Sequence, residues 1–127
     1  MIGLRTNQDE YETVTKGKVL LVFMTTGCDA CTKEVLNISQ AIPTLTSRVR
    51  IYGVCMERRD KVIQFVEENH IDFPILLDQG GRIIARLGFK YMPTKVLLEN
   101  GIITKIWYGS SPNKAALIKD VGEAETK

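Results

Sequence analysis

Cys28 and Cys31 are separated by two residues in the stretch Cys28-Asp29-Ala30-Cys31, directly after the apolar run Val19-Leu20-Leu21-Val22-Phe23-Met24 and before a segment with helical spacing. Two thiols at that spacing, where a strand gives way to a helix, can act as a redox pair. A thiolate at the first position faces unpaired backbone N–H groups and the positive end of the helix dipole, and both lower its pKa. The second thiol can then close a disulfide with the first. The same spacing also serves structural thiols and half of a zinc site. Against zinc, only Cys55 and His70 remain to complete four ligands, so no metal is expected.

The elements that must hold this pair follow from hydrophobic spacing. Residues 18 to 24 read as a buried parallel strand that delivers the chain to Cys28, after a short, weakly amphipathic helix at 7 to 16. A helix runs from Asp29 to Ile42 with Val35, Leu36 and Ile38 inward, and Pro43 is placed to kink or end it. Arg50 to Met56 makes a second strand. Asp60 can cap a helix through Asn69, on which Val62, Ile63, Phe65 and Val66 recur at helical spacing, and Phe73 to Leu77 returns as a strand. Gln79-Gly80-Gly81 is a turn, and Arg82 to Leu87 a short helix ended near Gly88. After Pro93, strands Thr94 to Leu98 and Ile102 to Tyr108 are joined by Asn100-Gly101, a two-residue hairpin signal. Ser111-Pro112 then opens a terminal helix. Strands alternating with helices, followed by a hairpin and a last helix, predict an α/β fold with a central mixed sheet flanked by helices on both faces.

With 127 residues and 44% hydrophobic content, the chain suits one domain with a core of its own. A formal net charge of +2, from 17 basic and 15 acidic residues, argues against nucleic acid or an anionic membrane as partner. Three cysteines are too few for a disulfide scaffold, and the odd count leaves one unpaired. No segment approaches the ~20 consecutive apolar residues of a membrane span, and Met1-Ile2-Gly3-Leu4-Arg5-Thr6 lacks an apolar signal-peptide core.

Taken together, the apolar strand, Cys28-Asp29-Ala30-Cys31, the helix after it, and Met92-Pro93-Thr94 leading into a hairpin and final helix resemble the thioredoxin superfamily. The likeness covers roughly residues 15 to 122 of a single domain spanning 1–127. Within the superfamily the chain is most similar to the TlpA/ResA-like branch of bacterial thiol-disulfide oxidoreductases. That branch carries an extra helix-strand insertion, for which the 61 residues between Cys31 and Pro93 leave room at about 60–78. Asp29 and Glu34 also fit an acidic pattern around the pair that some members show. Two positions depart from relatives: Gly27 precedes the first cysteine where tryptophan is usual, and Val22 stands where thioredoxins proper carry a buried aspartate.

The resemblance implies a protein thiol-disulfide oxidoreductase with Cys28 as nucleophile and Cys31 as resolving thiol. It needs no cofactor beyond the redox-active Cys28–Cys31 disulfide. Pro93 is implied to be a cis-proline facing the pair, leaving the Met92 backbone beside Gly27 to pair with an extended substrate segment. The negative charges of Asp29 and Glu34 disfavour a neighbouring thiolate, opposing the helix dipole, so a reducing poise is expected. Alternatively, Asp29 is simply a solvated carboxylate at a helix start. Cys55 reads as an inert core thiol.

Implied partners are thiol- or disulfide-containing proteins, among them apocytochrome c or other exported thiol proteins, and an upstream electron donor; a monomer is the expected state. The branch implies extracytoplasmic residence in a bacterium, whereas the lack of a signal segment in this chain keeps a cytoplasmic setting open. Two other functions stay open. One is a thioredoxin-fold binding or adaptor module without turnover. The other is a thiol peroxidase, for which Thr25 stands three residues before Cys28 but Leu21 replaces the proline of that motif.

Overall fold

The computed structural model describes residues 4–5, 15–78, 82–88 and 91–125. Six strands among them form one sheet in the order β1-β4-β3-β2-β5-β6. These are β1 (Leu4–Arg5), β2 (Lys18–Met24), β3 (Arg50–Cys55), β4 (Ile75–Leu77), β5 (Thr94–Glu99) and β6 (Ile102–Tyr108). β1, β4, β3 and β2 pair in parallel, whereas β5 runs antiparallel to both β2 and β6. The helices are α1 (Asp29–Leu45), α2 (Arg59–Glu68), α3 (Arg82–Leu87) and α4 (Lys114–Glu125).

Continuous apolar sequence in β2 is explained by the pleat, which sends alternate side chains to opposite faces. Leu20, Val22 and Met24 enter one core, and Val19, Leu21 and Phe23 enter the other. The first core also takes Cys31, Val35, Ile38, Ala41 and Leu45 of α1, Val62 and Phe65 of α2, and Leu117 and Val121 of α4. The second holds Tyr52, Val54, Leu76, Val96 and Leu98, with Met92 and Ile106 packed at its margin. With neighbours on both faces, β2 is held firmly where the chain turns into Cys28. Its partner β3 approaches closely at Gly53, where a Cβ would stand 2.6 Å from Ile75 Cδ1 and 2.7 Å from Met24 Cε.

The β5–β6 hairpin turns at Asn100 and Gly101, both with positive φ (53° and 84°), as a tight turn between right-twisted strands requires. Asn100 also exchanges hydrogen bonds with Gly17, anchoring the hairpin tip to the start of β2.

Several local expectations are corrected. α1 passes through Pro43 and ends at Leu45, because the buried Ala41 and Leu45 hold its last turn on the core while Pro43 lies exposed. Leu36 points outward and is 57% exposed, since the inner face follows the 31, 34, 35, 38, 41, 45 spacing. Asp60 does not cap α2; Arg58 occupies that position without a side-chain cap, and Asp60 lies in the first turn. The last helix starts at Lys114, two residues beyond Pro112, and Asn113 Oδ1 accepts the Ala116 N–H at 2.9 Å in the manner of an N-cap. The Gln79-Gly80-Gly81 turn, and the 7 to 16 helix except for Thr15 and Lys16, lie outside the described residues.

Candidate active site

Three residues, Thr25-Thr26-Gly27, separate the end of β2 from Cys28, which is the N-cap residue of α1 with extended backbone (φ −120°, ψ 117°). That conformation turns the Cys28 sulfur back over the helix start, where it accepts the Cys31 N–H at 3.2 Å. The sulfur therefore meets one of the unpaired amides that make a helix N-terminus favourable to anions. Cys28 is half-buried, Cys31 fully buried, and both are free thiols. Asp29 is exposed in the first helical turn. The connecting loop is tied down from below by Glu57, whose Oε2 accepts the Thr26 N–H at 2.8 Å and the Thr26 hydroxyl at 3.3 Å. Glu57 Oε1 is buried without a hydrogen-bond partner.

Across from the helix start, the Met92–Pro93 peptide is cis and Pro93 is buried. The Cys28 thiol donates to the Met92 carbonyl at 3.7 Å. Pro93 is fixed by its carbonyl, which accepts the Gly109 N–H at 2.8 Å, and the Thr94 hydroxyl donates to the Tyr91 carbonyl at 2.6 Å. Tyr91 is 68% exposed beside this turn. Gly27 is exposed, and a Cβ added there would meet nothing within 4 Å, so the space before Cys28 is open to a larger side chain.

Glu34 lies one turn after Cys31 on the same helix face and is fully buried. Its carboxylate forms an ion pair with the Lys95 ammonium and accepts the Ser111 N–H at 2.9 Å, the Ser111 hydroxyl at 3.3 Å and an Asn37 Nδ2 hydrogen at 3.1 Å. Lys95 also donates to Ser111 Oγ at 2.6 Å, and Asn37 to the Ser111 carbonyl at 2.9 Å. Lys95 is directly opposite Val22 in the β2–β5 register. The buried charge in this site thus comes from α1 and β5.

Burial pushes the Cys31 thiol up to about 12, helped by its hydrogen bond and charge interaction with Cys28 and opposed by hydrogen bonds from the Thr25 N–H and hydroxyl. Cys55, in the same core, is also pushed up to about 12, by burial first and then by the charges of Glu57 and Cys31. A thiol held neutral in this way is a poor nucleophile and a poor metal ligand. Among the described residues no three His, Cys, Asp or Glu side chains converge as metal ligands.

Of the residues singled out in the sequence, Cys28, Cys31, Met92 and Pro93 meet at one end of the sheet, with Gly27 on the rim and Asp29 facing solvent. Glu34 belongs to the buried network behind them. Lys95, Ser111, Asn37, Thr26 and Glu57 were not anticipated. Of these, Lys95 left a signal: it directly precedes the apolar run Val96-Leu97-Leu98 of β5, just as Glu34 interrupts the apolar face of α1, so opposite charges occupy two inward positions.

A model of the AhpC/TSA family matches residues 5–106. Thiol-disulfide oxidoreductase ResA of Bacillus thuringiensis subsp. konkukian is 32% identical over 87 residues, which are 66% of this chain and 50% of that protein. Sporulation thiol-disulfide oxidoreductase A of Bacillus subtilis is 31% identical over 109 residues, 81% of this chain and 65% of that protein. The crystal structure of StoA from Bacillus subtilis superposes with a TM-score of 0.70 at 25% identity, covering 86% of this chain and 82% of that one. The chain spans about half the length of the ResA relative it matches.

Proposed function

Because this chain belongs to the AhpC/TSA family and has the thioredoxin fold, we propose that it is a thiol-disulfide oxidoreductase acting on partner proteins through Cys28 and Cys31, as a reductant. The observation that carries this reading is the Cys28 sulfur, half-buried at the start of α1, between the Cys31 amide and the Met92 carbonyl. Its curated homologues are thiol-disulfide oxidoreductases, which supports the same chemistry.

The Cys28 thiolate attacks one sulfur of a substrate disulfide. A Cys28–substrate bond forms as the substrate S–S bond breaks, and the other substrate sulfur leaves as a thiolate that takes up a proton. Cys31 then gives up its proton and attacks the Cys28 sulfur, expelling the first substrate sulfur. Two electrons have passed to the substrate, and the Cys28–Cys31 disulfide awaits a dithiol donor. Thr25, which hydrogen-bonds Cys31, would stabilise the charge as it develops on that sulfur. Met92, with Pro93 behind it and Gly27 open beside it, would line the approach of an extended substrate segment.

Asp29 and Glu34 are assigned to tuning of the couple towards the reducing end, and residues 60–78, with α2 and β4, to a helix-strand insertion. Exported thiol proteins on the extracytoplasmic side of a bacterial membrane fit as substrates. Among the described residues no helix is long and apolar enough to cross a membrane.

The test is insulin reduction by dithiothreitol with wild type and Cys28→Ser. Wild type should accelerate it and the variant should not. Wild type no faster than free dithiol would favour the adaptor reading, and rapid peroxide consumption a thiol peroxidase. A reduction potential near about −120 mV, the oxidant extreme, would overturn the reducing direction.

A further inference from the structure

The Glu34–Lys95 ion pair is almost fully shielded from solvent, at 0% and 3% side-chain exposure, and it joins α1, which Cys28 caps, to β5, which follows the cis-proline turn that the Cys28 sulfur contacts. Glu34 rides on α1 three residues after Cys31, and Lys95 on β5 two residues after Pro93. Every described contact of the carboxylate comes from a donor: Lys95, Asn37 and the amide and hydroxyl of Ser111. In a water-poor core a carboxylate without a counter-ion acts over a long range and disfavours nearby thiolates, whereas a paired one presents little net charge.

We infer that Lys95 is a positioning residue that, by pairing with Glu34, sets how much of that carboxylate's negative charge reaches the Cys28–Cys31 couple. The inference rests on the proposed redox role of the couple. Among the described residues, the charged and titratable groups around the couple are Glu34 on α1 with Lys95 of β5 paired to it, Cys55 on β3 and Glu57 just beyond it, while Asp29 at the start of α1 faces solvent. Lys95 is the cation among them, and Ser111 Oγ holds its ammonium over the carboxylate. The counter-ion of Glu34 thus comes from the β5 position directly opposite Val22 of β2.

Lys95→Met keeps an unbranched side chain, one heavy atom shorter, and removes the charge. In the reduced protein, iodoacetamide alkylation of Cys28 at pH 7 should slow about tenfold, with the rate-against-pH curve displaced to higher pH. Adding Glu34→Gln should bring the rate back to within about threefold of wild type, which a merely structural role of Lys95 would not do. The inference is overturned if Lys95→Met alkylates at the wild-type rate between pH 5 and 9, or if the double variant is no faster than the single one. Should circular dichroism show Lys95→Met unfolded, the double variant decides alone: a rate about tenfold below wild type overturns the inference. Wild type unable to reduce insulin would sink the oxidoreductase reading and leave these alkylation rates intact, so the two failures are distinguishable.

Discussion

The Cys28 sulfur lies 3.7 Å from the carbonyl oxygen of Met92, 64 positions away in the chain. The contact places a half-buried thiol beside the cis-proline turn, where the proposed function has an extended disulfide-bearing segment approach. Behind that half-buried sulfur, Cys31 is buried, and its backbone N–H donates to Cys28 Sγ.

Cys31→Ser should therefore accumulate mixed disulfides between Cys28 and substrate. Non-reducing electrophoresis after incubation with a disulfide-bonded protein should show adducts that dithiothreitol removes. The Cys28→Ser/Cys31→Ser variant should show none, because Cys55 is fully buried. Adducts persisting in that double variant would reassign the nucleophile.

Reduced protein should lose stability in alkali. In the unfolded chain the thiols of Cys31 and Cys55 ionise near 9.0; in the folded one, near about 12. Between those values the unfolded state binds fewer protons, so stability falls as pH rises, by about 1.4 kcal/mol per unit for each thiol. Below about 9 the contribution is complete. Urea midpoints at pH 8 and 10.5 should differ less for Cys55→Ala, and less for the oxidised protein, in which Cys31 no longer titrates. Equal pH dependence in all three forms would refute the assignment.

Two glycines should respond in opposite ways. Gly53→Ala would drive a Cβ into Ile75 and Met24, both fully buried, at a cost of about 1–3 kcal/mol in urea unfolding. Gly27→Trp meets open space and should leave the unfolding midpoint within about 0.5 kcal/mol of wild type, changing substrate KM in preference to stability. A large stability loss for the tryptophan variant would mean that the rim is not open.

Glu57→Ala should loosen the loop that carries Cys28. It removes the acceptor of the Thr26 N–H and hydroxyl, and a stranded amide costs about 1–3 kcal/mol. Hydrogen exchange should speed up at Thr26 first. Glu57→Gln retains an acceptor oxygen and should show the smaller effect.

Local patterns carried much of the fold. The apolar run at 18–24, Asn100-Gly101 and the spacing of Val62 and Phe65 have short-range physical causes, and the elements they predict are present. Helix ends were harder to read, because tertiary packing competes with local chemistry there: burial of Ala41 and Leu45 carries α1 through Pro43. Glu57 gave no signal at all, since a carboxylate just past a strand has the look of an ordinary surface residue.

By itself the sequence determined the redox-type pair, its strand-to-helix setting and the two-sided burial of β2, because spacing and hydrophobic period are local properties. Only the tertiary structure decided which groups surround the sulfurs. Lys95 meets Glu34, and Met92 meets Cys28, because sheet register and helix packing bring together residues that no periodicity connects. In that buried setting, partner identity governs what each charge does.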